Sequence, residues 1–364
     1  MISLIDVYHV VTATVPLYVT MFLAYICVKW WKLFTPDQCV GINKFVANFS
    51  VPLLSFQVIS SNNIYKMSLK LIYADCVQKF LAFFVLIVII KMSDRGGLKW
   101  IITGLSLSTL PNTLILGIPL MKAMYKDESD ILLPQIIFLQ SMIWYNFLLF
   151  LHELDAAIPA RTMPASSSTS SQGTGESETS LEVQSKEDEG EERGETRSQR
   201  KMRILIILMK VGKKLIMNPN TYATFIGLIW ASIHFRWGVD MPDVVKQSIT
   251  ILSSGGLGMA TFSLGLFMAS NSSIIACGPR MTMVAMGLKF LVGPALMAVA
   301  SIVIGLRDTM LKVAIVQAAL PQGIVPFVFA REYNVQPAIL STGVLLGMLI
   351  ALPVALIYYL LLSL

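Results

Sequence analysis

What most constrains this chain is a succession of ten apolar runs, each bounded by charges or turn residues and each long enough to cross a lipid bilayer. A hydrocarbon layer about 30 Å thick needs about 20 residues of helix. The runs fall at 7–29, 38–60, 69–92, 100–124 and 131–154, then at 216–235, 243–270, 280–305, 309–331 and 337–363. In lipid every backbone N–H and C=O must be paired within its own segment, so runs of this length fold as helices. Composition agrees, with 55% of the 364 residues hydrophobic and 14% charged, against about 25% charged in a globular chain. Mean hydropathy is +0.68, more apolar surface than one core hides. The expected fold class is an all-α polytopic membrane protein.

Several function classes drop out. Cys27, Cys39, Cys76 and Cys277 lie singly, without metal-ligand or disulfide spacing, and read as small buried hydrophobes. His9, His152 and His234 belong to no metal or nucleophile motif, so neither a metal, a cofactor nor an enzyme activity is expected. The net charge of +6 comes from basic residues that punctuate apolar segments, as membrane flanks do, and does not point to nucleic acid. No cleavable signal is read at the N-terminus, where Asp6 stands in place of a basic region.

Between the two sets of spans, residues 156–200 are rich in Ser, Thr, Gly, Glu and Arg. Such a segment buries too little apolar area to offset its ordering entropy, and a disordered linker is expected. It divides the chain into a first five-helix repeat (1–155) and a second (201–364). At the start of the second, MRILIILMKVGKKLIM mixes apolar residues with Arg203, Lys210, Lys213 and Lys214, the pattern of an interfacial helix.

The halves resemble each other. Lys79-Phe80-Leu81 has a counterpart in Lys289-Phe290-Leu291, and Leu110-Pro111-Asn112 in Leu320-Pro321-Gln322, both at an offset of 210 residues. An odd number of spans per repeat turns the second copy upside down, giving an inverted repeat of the kind used by secondary transporters. Eighteen Lys and Arg fall on the side that holds the central segment against eight on the other. That excess makes the linker cytosolic and places both termini in the lumen or outside.

The fourth and ninth spans each carry a proline at mid-membrane, where its missing N–H breaks the helix. The breaks recur at matched positions, each followed by an amide, Asn112 or Gln322, with Gly323, Pro119 and Pro326 close by. Paired interruptions in inverted halves point to a transporter's binding site, and an ordinary proline kink is the alternative. Helix N-termini converging there suit an anion, and without Arg at either break a small organic carboxylate fits better than a phosphate. Asp75 and Lys79 lie four apart in the third span and share a helix face. They are either a structural ion pair or, with Asp75 as proton carrier, a coupling site. Lys289 has no acid four residues away, so it either snorkels or finds a partner on another helix. Ser55 in span two and the Gln140–Tyr145 stretch in span five add polar and aromatic groups, with Trp144 and Tyr145 assigned to helix packing.

At these residues the sequence resembles the PIN-FORMED auxin efflux carriers of plants. The resemblance rests on VYHVVTATVPLYV, LFTPDQCVGINKFVANFSVPLLSF, LSTLPNTLILGIPLMKAMY, KLIMNPNTYA and LPQGIVPFVFAREY, which together cover nearly all of both halves. The central segment of about 45 residues departs from the long phosphorylated loop of the larger members. It resembles the short-loop branch associated with the endoplasmic reticulum, with the plasma membrane as the other location.

The resemblance implies a homodimeric carrier of indole-3-acetate and related aromatic carboxylates. Its fold would be of the sodium/proton-antiporter-like or bile-acid-transporter-like kind, ten helices with the fourth and ninth crossing at their breaks. Spans 1, 2, 6 and 7 would form a scaffold, while spans 3–5 and 8–10 would form a transport domain that moves as an elevator. Asn112 beside Pro111 would contact the substrate carboxylate. Ser55, Gln140, Tyr145, Pro321, Gln322, Gly323, Ile324 and Val325 would line the remainder, with Asp75, Gln78 and Lys79 as a polar support site. The competing expectation is a proton- or sodium-coupled carrier of a small organic anion that uses Asp75. A membrane receptor or scaffold without transport activity is disfavoured by the paired breaks.

Overall fold

A computed structural model describes residues 4–92, 97–157, 197–270, 273 and 275–363. The linker expected over 156–200 lies outside the described residues except at its two ends. Among the described residues every extended element is a helix. In chain order these are α1 (Leu4–Lys29), α2 (Pro36–Ser60), α3 (Leu69–Met92), α4 (Leu98–Thr109), α5 (Thr113–Tyr125), α6 (Glu128–Ala157), α7 (Arg197–Met217), α8 (Pro219–Trp237), α9 (Asp243–Ser270), α10 (Pro279–Ile304), α11 (Asp308–Ala318), α12 (Ile324–Glu332) and α13 (Pro337–Leu361). Seven of them are long and apolar enough to cross a membrane, and the protein is integral to it.

Local sequence sets the boundaries. Thr35 opens α2 with a reciprocal box, its hydroxyl accepting from Gln38 N–H while Gln38 Oε1 accepts from Thr35 N–H, and Pro36 takes the first helical position. At α8 Asn218 caps one way, its side chain accepting from Asn220 N–H, with Pro219 at the first helical position, and the helix ends at Gly238 with φ at +66°. That left-handed cap suits glycine. The runs at 100–124 and 309–331 are each two half-length helices: α4 then α5, α11 then α12. Leu110, which precedes Pro111, leaves the helical region at φ −114°, ψ 82°, because the proline ring crowds the residue before it.

Helices α1, α2, α8 and α9 lie against one another, α1 along α9 and α2 between α8 and α9. They touch backbone to backbone where glycines allow it: a Cβ on Gly265 would lie 2.1 Å from the Met21 carbonyl, and one on Gly227 3.2 Å from that of Phe56. Lipid gives these apolar faces no reason to associate, so close van der Waals approach and polar contacts must hold them. Ser263 donates to Asn43 at 2.5 Å, and Ser253 donates to Gln57.

The remaining helices gather around the two breaks. Helix α3 runs along α10 and α4, and a core of Leu71, Leu120, Met121, Ile136, Val313 and Val316 joins α3, α5, α6 and α11. Helix α13 crosses behind them, with Gly343 and Gly347 letting it approach Gln322 and Pro321. Helix α7 docks Ile207 and Val211 against Leu149 on α6 and leaves Leu205, Leu208 and Met209 exposed, as an interfacial helix does. Its Lys214 donates to Glu332 at 2.7 Å and to the Tyr333 hydroxyl, which itself donates to Glu153 at 2.5 Å. Partial burial opposes the Lys214 charge, but its acceptors Glu332 and Tyr333 outweigh that and hold the ammonium above its usual range. Burial and the bond to Glu153 push the Tyr333 phenol up to about 12. Of the cysteines, Cys27 and Cys39 are buried as expected, whereas Cys76 and Cys277 are half-buried.

Alanine at Gly265 must displace the Met21 backbone, at a cost of about 1–3 kcal/mol, whereas Gly255 on the same helix has nothing within 4 Å. Gly265→Ala is therefore expected to melt earlier in detergent. Gly255→Ala is expected to match or exceed the parent, since alanine favours helix.

Candidate functional site

The two interruptions meet. Asn112 N–H donates to the Pro321 carbonyl at 2.8 Å, and Gly323 N–H donates to the Leu110 carbonyl at 2.9 Å. Pro111 and Gln322 sit opposite each other as a single antiparallel bridge. Proline cannot donate, so the donors come from the residues that follow: Asn112 directly after Pro111, and Gly323 two places after Pro321. Backbone groups that a broken helix leaves orphaned in lipid are thus satisfied by the other break.

On each side a helix begins at this bridge: α5 at Thr113 and α12 at Ile324, and neither has a side-chain cap. The first N–H groups of a helix have no partner within it and carry its positive end. The Asn112 Nδ2 and both polar atoms of the Gln322 side chain are buried and, among the described residues, make no hydrogen bond. Ile324 and Val325, in the first turn of α12, are half-buried. Uncapped N-termini and unspent amide donors make this a place for an anion.

Gln140 braces the first break. Its amide donates to the Pro111 carbonyl at 2.6 Å and to the Tyr145 hydroxyl at 2.7 Å, while its oxygen accepts from Thr113 at 3.1 Å. Gln317 on α11 donates in turn to the Thr113 hydroxyl at 3.1 Å. Gln140 is therefore bonded on both its oxygen and its nitrogen, and through it Pro111 is tied to Thr113 and Tyr145. Ser55 on α2 is fully buried, and its hydroxyl makes no hydrogen bond.

The polar support group forms behind the bridge. Asp75 pairs with Lys79 through one carboxylate oxygen and accepts from Trp144 Nε1 at 2.7 Å through the other. Lys79 also donates to Gln78 Oε1 at 3.2 Å, and Gln78 Nε2 donates to the Gly293 carbonyl on α10 at 3.1 Å. From its sequence neighbours Trp144 reads as a packing residue. Packing is half of its role, with Phe80 edge-on at 5.9 Å, but its indole N–H also completes the shell of Asp75. Gln140 and Trp144 lie at the two ends of one widened helical turn of α6, so a single turn braces Pro111 and holds Asp75. Similar wide turns occur at Val46–Ser50, Thr113–Gly117 and Leu288–Val292, and such turns are frequent at functional sites.

Lys289 does not snorkel: it is fully buried, and among the described residues its Nζ has no hydrogen-bond partner. Sequence reasoning also missed Gln317, which is joined to Thr113 across 204 residues. Its linear signal is an amide within an apolar run, four residues before Pro321.

The model of the family described as "Membrane transport protein" matches residues 9–359. The chain is 57% identical to auxin efflux carrier component 8 of Arabidopsis thaliana over the whole of both chains, an alignment of 370 residues. It is 35% identical to probable auxin efflux carrier component 1b of Oryza sativa subsp. japonica and 32% identical to auxin efflux carrier component 1 of Arabidopsis thaliana, again over the whole of both chains. Those two alignments run over 554 and 622 residues, well beyond the 364 of this chain.

Asp75→Asn leaves the buried Lys79 without its counter-charge, and breaking such a pair costs about 3–5 kcal/mol. Trp144→Phe keeps the ring and removes one charged hydrogen bond, at about 1.5–3 kcal/mol. Thermal melting of the detergent-purified variants is expected to rank parent above Trp144→Phe above Asp75→Asn.

Proposed function

The chain belongs to the membrane transport protein family, and from that premise we propose that it carries the auxin anion indole-3-acetate out of the cytosol by alternating access. Its full-length relatives are named as carriers, so what its site does is bind and release, with no bond made or broken. What carries the reading is the bridge: two uncapped helix N-termini beside a free Asn112 amide, with no carboxylate at either break. The carboxylate of the substrate would lie against Asn112 and the first turns of α5 and α12. Ser55, Tyr145, Gln322, Ile324 and Val325 would surround the ring.

The fold proposed around it is ten spans in two inverted repeats, α4–α5 and α11–α12 each counting as one broken span. Helices α1, α2, α8 and α9 would be the fixed scaffold, and the group around the bridge would move as an elevator. The mutual packing of those four helices supports this division. The occupied state of Asp75, with both oxygens engaged, supports uncoupled transport over a proton carrier at that residue. An ionised carboxylate needs no coupling ion to leave a negative cytosol, since one charge moved through 100 mV is worth about 2.3 kcal/mol, or roughly 50-fold in concentration. In an endoplasmic reticulum membrane, the location that the short central segment favours over the plasma membrane, the auxin gradient itself would dominate. The linker would be cytosolic, the termini luminal, and the carrier a homodimer.

The test is current from purified protein reconstituted on a supported membrane. Indole-3-acetate alone is expected to produce current, and Asn112→Ala is expected to lower it by at least about tenfold at equal insertion. Current that appears only with a proton or sodium gradient contradicts uncoupled transport, and unchanged current in Asn112→Ala contradicts the site.

A further inference from the structure

The hydrogen bonds around Gln140 have a fixed direction. The Pro111 carbonyl can only accept, so the Gln140 atom that faces it at 2.6 Å is the amide nitrogen. The same nitrogen lies 2.7 Å from the Tyr145 hydroxyl. An amide nitrogen has two protons and accepts none, so the Tyr145 oxygen takes the second proton. The amide oxygen is thereby turned to Thr113, whose hydroxyl must donate to it at 3.1 Å. The Thr113 oxygen in turn accepts from Gln317 Nε2. Proton order thus runs one way, from Gln317 on α11 through Thr113 at the start of α5 and Gln140 on α6 to Tyr145. Gln317, Thr113 and Gln140 are all buried, where such a chain is not loosened by water.

The chain ends on a donor. With its oxygen accepting from Gln140, the Tyr145 hydroxyl keeps its own proton, which has no acceptor among the described residues. This hydroxyl and the Pro111 carbonyl share one nitrogen, so it stands within one amide group of the bridge. Hydrogen bonds in a chain polarise one another, and a hydroxyl that already accepts donates more strongly. Resting on the reading of the bridge as a carboxylate site, we propose that Gln317 is a positioning residue for the ligand: through Thr113 and Gln140 it holds the Tyr145 hydroxyl as a donor towards the bound anion. Gln317 acts through two intervening side chains and not by contact. What the chain selects is a hydrogen-bond acceptor on the ligand, as a carboxylate supplies.

The relay is tested by a double-mutant cycle read in ligand affinity, because Gln317 and Tyr145 are joined only through Thr113 and Gln140. Binding of indole-3-acetate to the full chain in detergent is measured together with thermal melting. Gln317→Leu and Tyr145→Phe are each expected to raise the Kd about threefold to tenfold, the worth of one hydrogen bond. In the Tyr145→Phe background, Gln317→Leu should raise the Kd no further, because no hydroxyl proton remains to direct. Melting should fall with Gln317→Leu in both backgrounds, since the buried Thr113 oxygen loses its donor in each. Thr113→Val cuts the chain one link later and is expected to give the same pattern, which serves where Gln317→Leu does not fold. An unchanged Kd in Gln317→Leu or in Tyr145→Phe overturns the proposal. A Kd raised by the same factor in both backgrounds overturns it as well, since Gln317 would then act independently of Tyr145. A parent that does not bind indole-3-acetate contradicts the carboxylate reading of the bridge itself and is thereby distinguishable.

Discussion

Two backbone hydrogen bonds between Leu110–Asn112 and Pro321–Gly323 are what the rest of the structure depends on. Each proline removes a helical bond at a depth where no water replaces it. Neither break is tolerable alone, since an unsatisfied group in hydrocarbon costs several kcal/mol. Together they complete each other and bring two helix N-termini to one point. The neighbouring features serve this junction: Gln140 holds the Pro111 carbonyl, Gln317 and Thr113 extend that brace to α11, and Gly343 and Gly347 admit α13 behind Gln322.

The junction gets its polarity from backbone groups and from the buried amides of Asn112 and Gln322. Amides follow both prolines, so the junction holds donors without a fixed negative charge. An acid there would add a fixed negative charge, and the amides add none. The ionisable groups lie one layer back, where Asp75 and Lys79 are locked with Trp144 and Gln78.

Much of this was legible in the linear sequence for physical reasons. A mid-membrane proline is costly enough that its recurrence at an offset of 210 residues signals function, and an acid four residues before a lysine defines a helical face. Other parts had no linear signal. The bond from Trp144 to Asp75 spans 69 residues, and nothing in a tryptophan's neighbours says whether its N–H finds a carboxylate. The wide turns Gln140–Trp144 and Leu288–Val292 follow no residue pattern that the sequence reading used. Snorkelling follows from the long stem of a lysine, but the Lys289 side chain is fully enclosed.

The central claim is that the crossed breaks form the seat of an organic anion. It is tested most directly by a structure of the protein determined with saturating indole-3-acetate. Density for the carboxylate against Asn112 and the first turns of α5 and α12 is the result predicted. Density for the ligand elsewhere, with the bridge unoccupied, contradicts it.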